Sequence, residues 1–377
     1  MLNYEFPPLG GGAGNANYFL LKELAKQQDL NIDLITSSAD KAYTEQFANN
    51  ITIHYLDIGK KGQNLQFQTQ ADLIKYALKA LIYACNLNKQ QDYDVVHAWF
   101  GVPSGLIALL LKIFYKTPYI ISLRGADVPG YKKRFAVLDK LVFGWLNKYF
   151  IWKQAKYVIA NSKQLKQLAL KTAPQQDMKV IPNGVDLKTF KPNWDKSFDK
   201  IKITPGWTRL EKRKGVDLLL KAAASLDDKK LEVIVPGAGP ELENLQNLAQ
   251  ELQISKQVQF LKIGQNTPKN RQKVARVLAD CHILCLPSDN EGMSNAVLEG
   301  MACGLALLLT DVGGTEELLQ EGENGYVIKR SEEDIAEKIQ KIRENKKLLL
   351  SLGKKSRKRV MQFSWQQVAR EYYQYFV

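Results

Sequence analysis

The chain has 377 residues, too many for one ordinary core at roughly 100 to 200 residues per domain, so two packed units are expected. With 45% hydrophobic, 24% charged and 10% aromatic residues, a largely disordered, collagen-like or disulfide-stapled chain is excluded. The formal net charge is +14 at pH 7, and residues 101–200 alone carry 18 basic and 6 acidic side chains, which predicts a localised basic face and an acidic partner.

Short β-branched runs alternate with helical periodicity along the chain. In the first half, strands are predicted at Leu2 to Phe6, Ile32 to Thr36, Ile51 to Tyr55, Asp94 to Ala98, Tyr119 to Leu123, Tyr157 to Ala160 and Val180 to Pro182, with helices at Asn15 to Gln27 and Ala71 to Tyr83. The pattern breaks at Lys188 to Lys200, a polar stretch without apolar periodicity, and the domain boundary is placed there. In the second half, strands are predicted at Ile201 to Trp207, Leu231 to Pro236, Val258 to Leu261, His282 to Pro287, Leu305 to Thr310 and Tyr326 to Ile328. Helices Val216 to Ser225, Glu241 to Leu252 and Glu332 to Glu344 fall between them. Such alternation means parallel sheets, which bind ligands outside the carboxyl ends of their strands. Two doubly wound α/β domains facing each other across a cleft are expected.

The four cysteines, Cys85, Cys281, Cys285 and Cys303, show no Cys-x-x-Cys spacing, so neither a disulfide framework nor a zinc ribbon is indicated and a reducing cytosol fits. No secretory leader is visible after Met1. The longest apolar run, Gly105 to Tyr115, is broken by Lys112 and falls short of the roughly 20 residues a membrane span needs. The basic run Lys354 to Arg359 reads as a solvated helix face.

Three stretches carry candidate chemistry. Pro7-Pro8-Leu9-Gly10-Gly11-Gly12-Ala13-Gly14 precedes the Asn15 helix. Its glycines let backbone approach a ligand, and the helix start offers unpaired N–H groups to an anion. The spacing is neither the dinucleotide fingerprint nor a P-loop, and a plain strand-to-helix turn would read the same way. In Trp207-Thr208-Arg209-Leu210-Glu211-Lys212-Arg213-Lys214-Gly215, Arg209 and Lys214 are placed to meet a diphosphate, one as a planar fork and one as a point charge. An exposed basic turn is the alternative. The turn Pro236-Gly237-Ala238-Gly239-Pro240 adds another close-approach loop at the same edge. In Pro287 to Gly304, Glu291 lies in a loop and Glu299 about two turns into a helix starting near Ser294. Carboxylates so separated can accept hydrogen bonds from two hydroxyl-bearing parts of one ligand, with the helix N-terminus between them facing a phosphate. Two surface glutamates are the bland alternative.

With these motifs in view, the sequence resembles the retaining nucleotide-sugar glycosyltransferases of family 4, which have the two-domain, Rossmann-like GT-B fold. The resemblance rests on the Pro-Pro and Gly10 to Gly14 loop, Asp94-Val95-Val96-His97-Ala98, Arg124-Gly125-Ala126-Asp127-Val128, Ala160-Asn161-Ser162 and Ile181-Pro182-Asn183-Gly184-Val185-Asp186. It rests further on Arg209 with Lys214, and on Glu291/Glu299 within Glu-Gly-x-x-Asn and Met-Ala-Cys-Gly. It implies an acceptor-side domain over 1–190, a donor-binding domain over 191–360 and a C-terminal helix, 361–377, crossing back to the first domain.

The resemblance also implies site roles. Gly11 and Gly12 close over the donor diphosphate, and Arg209 and Lys214 neutralise it as it departs. Glu291 grips hydroxyls of the transferred sugar with the backbone of Gly292, Met293, Ser294 and Asn295. Glu299 holds the ribose, Gly237 lines the donor pocket, and Arg124 and Asp127 stand with the catalytic groups. It implies front-face displacement with retention, a nucleoside-diphosphate sugar as donor substrate, no cofactor and no metal. The residues agree with the last point, since fixed cations and helix N–H groups can stabilise a leaving diphosphate.

Three positions depart from the family pattern. Arg124 stands where many members carry histidine, and a permanent cation cannot act as a base. Leu305 replaces the usual proline after Cys-Gly. Met1 lies close to the expected end of the first strand, which should therefore be short, as if a few residues were missing before it.

Tyr131 to Tyr157 holds seven basic residues and one acid, Asp139, interleaved with Phe135, Phe143, Trp145, Tyr149, Phe150 and Trp152. This mix suits an anionic membrane interface, with a core-packed helix bearing a solvated basic face as the alternative. The expected partners are a nucleotide-sugar donor, a glycan or lipid-linked acceptor and an anionic membrane surface, with no nucleic acid. The expected location is cytoplasmic, peripheral on the inner face of the cell membrane. His282 is expected in the core, and His97 at a strand end is a candidate acceptor contact. Two competing functions are a GT-B nucleotide-sugar epimerase and an inactive transferase core serving as a basic membrane or nucleic-acid binding module.

Overall fold

The computed structural model describes residues 1–62, 65, 68–131, 144–264 and 267–377. It divides into two compact units: Met1–Asn183 together with Trp365–Val377, and Gly184–Ser364. Much of the basic aromatic stretch, including Phe135, Asp139 and Phe143, lies outside the described residues.

The first unit is built on strands β1 (Ile32–Ser38), β2 (Tyr43–Ala48), β3 (Ile51–Asp57), β4 (Val96–Trp99), β5 (Tyr119–Leu123), β6 (Tyr157–Ala160) and β7 (Met178–Val180). They form two runs, β2-β3-β1 and β4-β5-β6-β7. Leu2 joins the runs by parallel bridges to Ile35 of β1 and Ala98 of β4. The strand predicted over Leu2 to Phe6 is thus a single paired residue. The physical cause is Asn3, whose side-chain oxygen accepts from the Glu5 N–H at 3.0 Å and turns the backbone out of the sheet.

Strand β2 was not predicted. It pairs antiparallel with β3 at the sheet edge, and its residues Tyr43 to Gln46 are exposed, so no buried face imposes a hydrophobic alternation.

Three helices come before β5 in the chain: α1 (Gly12–Leu24), ahead of β1, α2 (Gln70–Gln90), between β3 and β4, and α3 (Leu106–Tyr115), between β4 and β5. α1 starts earlier than predicted, running straight out of the glycines. α2 starts at a reciprocal cap in which Thr69 accepts from the Asp72 N–H and Asp72 accepts from the Thr69 N–H, the arrangement that satisfies two orphan donors at once. Helix α4 (Lys163–Thr172) links β6 to β7. The C-terminal helix Trp365–Tyr373 packs on α1, with the rings of Phe19 and Trp365 stacked at 5.8 Å.

The second unit has strands β8 (Ile201–Thr204), β9 (Thr208–Arg209), β10 (Leu231–Ala238), β11 (Val258–Lys262), β12 (Ile283–Leu286), β13 (Ala306–Leu309) and β14 (Gly325–Val327). The order is β11-β10-β8-β12-β13-β14, all pairs being parallel, with β9 added beside β10. Chain order reverses direction between β8 and β12, and such a topological switch point is where open α/β sheets bind ligands. The strand predicted over Ile201 to Trp207 stops at Thr204. Pro205 has no N–H to continue the ladder, and Gly206, at φ +77°, crosses so close to Ala296 that a Cβ would sit 2.9 Å from its methyl.

Helices α5 (Val216–Ser225), α6 (Leu242–Glu251), α7 (Pro268–Asp280), α8 (Asn295–Ala302), α9 (Thr315–Leu318), α10 (Glu332–Arg343) and α11 (Lys346–Val360) cover the faces. The strands β12 and β13 are buried along their whole length, as a sheet covered on both sides requires. Among the described residues no helix is long and apolar enough to cross a membrane.

Candidate active site

The second unit gathers charge at its switch point. After β8 and β9 the chain makes one turn, Lys212–Lys214, and enters α5 through Gly215. After β12 it makes the loop 287–294 and enters α8. The loops are fastened together, the Asp289 N–H donating to the Arg213 carbonyl at 2.7 Å. Gly215, at φ +68°, lies against the Pro287 carbonyl so closely that a Cβ would fall 2.3 Å from that oxygen.

This closeness brings Lys214 to Glu291. The ammonium is 2.5 Å from Glu291 Oε1, both side chains are almost fully buried, and Ser288 Oγ donates to the same oxygen at 2.8 Å. Burial alone would push the Glu291 carboxyl up. Lys214, Arg213 and Ser288 outweigh it and hold the group below the ordinary carboxylate range. Arg213 stands 4.0 Å from Glu291 Oε2 and donates to the Asn290 carbonyl. Glu211 sits between Arg209 at 3.2 Å and Arg213 at 2.7 Å. Arg209, Lys214 and Glu291 are therefore grouped at the carboxyl edge.

Gly292, Met293 and Ser294 lead into α8, whose first residue is Asn295. The loop is held from behind by Gly313, at φ +59°, where a Cβ would fall 2.2 Å from the Glu291 carbonyl oxygen. Met293 lies on Gly314.

Glu299 is the fifth residue of α8, little more than one turn in rather than two. It is buried, 3.5 Å from Arg271 of α7. Burial pushes its carboxyl up to about 7, against the pull of Arg271 and with a push from Asp186. A carboxyl that keeps its proton longer in the folded chain stabilises fully below its unfolded value near 4.5, and that contribution is lost as pH rises through about 7. The Glu299→Gln variant lacks this titration. Urea unfolding of both chains from pH 4.5 to 8 should show the wild type losing about 3 kcal/mol relative to the variant; parallel pH curves would count against a buried, proton-holding Glu299.

Gly237 does not lie in an open loop. It is inside β10, paired with Thr208, and a Cβ there would meet the Thr208 carbonyl oxygen at 2.3 Å. The glycine allows β9 to join the sheet.

In the first unit, Gly11 is the N-cap of α1 and Gly12 its first residue. The Gly11 N–H donates to the Glu5 carboxylate at 3.3 Å. Gly10 takes φ +86°. Asp127 is committed to the backbone: it accepts from the N–H groups of Arg124 at 2.9 Å, Gly125 at 3.0 Å and Gly101 at 2.9 Å. That bracing fixes the loop after β5 to the turn after β4. Arg124 lies over the Trp99 ring at 3.7 Å and donates to Asn183 Oδ1 at 3.0 Å and to the Tyr372 hydroxyl at 2.8 Å.

His97 is fully buried beside Trp99, Tyr372 and Phe376 and bonded to Ser122 Oγ at 2.8 Å. Burial, with Arg124 nearby, holds it neutral. It is walled in rather than offered to an acceptor. His282 is likewise buried, accepting from the Lys202 N–H at 3.0 Å and lying 3.0 Å from the Ser197 carbonyl.

Sequence reasoning gave no role to Glu211, Arg213, Ser288 or Arg271. The first three were inside or beside the chosen motifs. Arg271 had only one signal, an arginine on the apolar face of α7, since a charged side chain is rarely buried without a partner.

Residues 10–189 match the model of Glycosyltransferase Family 4, and residues 188–359 match that of Glycosyl transferases group 1. An uncharacterized glycosyltransferase of Methanocaldococcus jannaschii is 26% identical over 375 residues, covering 97% of this chain and 94% of that protein. Among solved structures, sucrose-phosphate synthase from Thermosynechococcus elongatus is similar at TM-score 0.82 and 21% identity, covering 97% of this chain and 93% of the other. Anabaena HepE in complex with UDP-glucose is similar at TM-score 0.74 and 18% identity, covering 99% and 97%. These likenesses show the two-domain GT-B architecture. With the two matches together spanning residues 10–359, the chain belongs to the family 4, group 1 glycosyltransferases.

Proposed function

We propose that this glycosyltransferase moves a hexosyl unit, with retention and without a metal, from a nucleoside-diphosphate sugar to a glycan or lipid-linked acceptor of cell-envelope polysaccharide or lipopolysaccharide synthesis, at the inner face of the cell membrane. The observation that carries the reading is the buried Lys214–Glu291 pair, flanked by Arg213 and Arg209, at the switch point of the second sheet. A diphosphate needs fixed cations there, and sugar hydroxyls need an acid beside them. The UDP-glucose bound by Anabaena HepE supports a nucleotide sugar as donor.

In this reading the acceptor hydroxyl attacks the anomeric carbon on the face the diphosphate leaves. Its proton passes to the departing phosphate oxygen as the sugar–phosphate C–O bond breaks, so configuration is kept. Lys214, Arg209 and Arg213 stabilise the charge that builds on that oxygen, which is the interaction that strengthens in the transition state. Glu291 orients the sugar and Glu299 the ribose. Asp127 positions the loop that carries Arg124 through the three backbone N–H bonds it accepts.

A panel of nucleotide sugars tested by thermal unfolding provides the check. One donor at a hundredfold excess over its Kd should stabilise by about 3 kcal/mol and raise the Tm by several degrees, and Arg209→Ala should abolish the rise. No shift with any member of the panel, or an undiminished shift in Arg209→Ala, would overturn the donor assignment.

A further inference from the structure

Three successive connections of the first unit send bulky apolar side chains into solvent. On α2, Ile74, Leu78 and Ile82 stand four residues apart, each more than 60% exposed, while Tyr76, Ala80 and Ala84 on the other side of the helix fill the core. At the end of α3, Ile113 and Phe114 are 63% and 60% exposed, and between β5 and β6 Trp145, Tyr149 and Phe150 also face water. None of these outward residues is needed to bury the helix that carries it.

The topology puts them on one face. With Leu2 joining the two runs, the sheet reads β2-β3-β1-Leu2-β4-β5-β6-β7. The connections β3 to β4 (α2), β4 to β5 (α3) and β5 to β6 all advance in the same direction between parallel strands. Right-handed crossovers that advance in one direction lie on one side of the sheet. The connection from Leu2 to β1, which is α1, runs the opposite way and takes the other side, together with the C-terminal helix packed on it. Hydrogen bonds tie the three neighbours: the Tyr115 hydroxyl donates to the Cys85 carbonyl at 3.3 Å, and Lys112 to the Gln154 carbonyl at 2.7 Å.

Among the described residues, charge on this face is predominantly positive, the exposed acids Asp92 and Asp94 lying past the end of α2. Lys75, Lys79, Lys89, Lys116, Lys148, Lys153 and Lys156 are exposed. The sequence has no acid in 95–126 or in 144–176, and Asp72, the acid within α2, is paired with Lys60 at 2.9 Å. A second copy of the chain would set lysines against lysines. A wide layer of negative charge over an apolar interior complements both features, and Trp and Tyr favour that boundary.

We infer that this face, made of α2, the end of α3 and residues 144–156, docks the protein on an anionic lipid bilayer, with the apolar side chains entering the headgroup–acyl boundary and the lysines level with the phosphates. This deepens the membrane side of the function proposed above, and it involves no donor-site residue.

The test is flotation of the full chain with vesicles of phosphatidylcholine, with and without phosphatidylglycerol, in the absence of any donor or acceptor. The chain should float with the anionic vesicles and not the neutral ones, and added salt should release it. Leu78→Asp with Phe114→Asp, and separately Lys148→Glu with Lys153→Glu, should each lower the bound fraction at least about tenfold, at roughly 1 kcal/mol per charge near the surface. All four sites are exposed, and an unchanged Tm would verify that the variants fold. No flotation, equal flotation with both vesicles, flotation indifferent to both double variants, or a concentration-dependent dimer abolished by Leu78→Asp would overturn the inference. The donor thermal shift uses no vesicles, so failure of one experiment leaves the other standing.

Discussion

Replacing Lys214 by alanine is expected to destabilise the second unit by about 3 kcal/mol and to lower transfer by a factor of about a hundred to a thousand. The stability loss follows from what remains. Glu291 keeps its buried position and its bond to Ser288 but loses the ammonium 2.5 Å away, and Arg213 at 4.0 Å compensates only in part. The estimate is therefore at the low end for a broken buried pair.

The pH dependence separates this cause from lost packing. In the wild type, Glu291 is held below its ordinary value, so its contribution is present above the unfolded value and fades as pH falls through the folded one. The deficit of Lys214→Ala in urea unfolding should be largest near neutrality and shrink below about pH 4. A deficit of equal size at every pH would mean that the lysine stem, not its charge, matters.

The second large effect is expected at Gly215. Alanine there must take φ +68° and place a methyl 2.3 Å from the Pro287 carbonyl oxygen. The left-handed backbone costs about 1 kcal/mol. No rotamer change relieves a contact with a main-chain oxygen, so a total near 3 kcal/mol is expected. The displacement would also pull the turn bearing Lys214 away from the loop bearing Glu291, and donor-induced stabilisation should vanish with it. Gly264→Ala is the control, since a Cβ there meets nothing within 4 Å, and its effect should stay within about 0.5 kcal/mol. Similar losses in both variants would show that glycine flexibility in general, and not this contact, is responsible.

Most of the parallel strands and the grouping of Arg209, Lys214 and Glu291 were legible in sequence because each depends on local information. Buried parallel strands show as apolar runs, and loops at their carboxyl ends carry glycine, proline and charge. What was illegible depends on residues far apart. Arg271 finds Glu299 through the packing of α7 on α8, which no motif announces. Lys214 and Glu291 were read as separate binders of separate ligand parts, whereas a close approach at Gly215 makes them a pair. Asn3 cut the first strand short through one side-chain bond that hydropathy does not register. Gly237 read as a loop residue because glycine usually marks a turn, yet here it admits a neighbouring strand. Edge strand β2 left no pattern, since Tyr43 to Gln46 are exposed and only its end, Phe47 and Ala48, meets the core.

The carboxylates that meet these basic groups have a consequence for selectivity. Glu291 already rests on Lys214, and Glu211 already bridges Arg209 and Arg213. A lone phosphate or sulfate arriving at any one of these seats exchanges one anion for another and gains little Coulomb energy. An extended, doubly charged ligand that fills several seats while giving the released acids hydroxyls to hold recovers what it displaces. In the proposed reading the chain's own acids are internal competitors that disfavour simple oxyanions at this site.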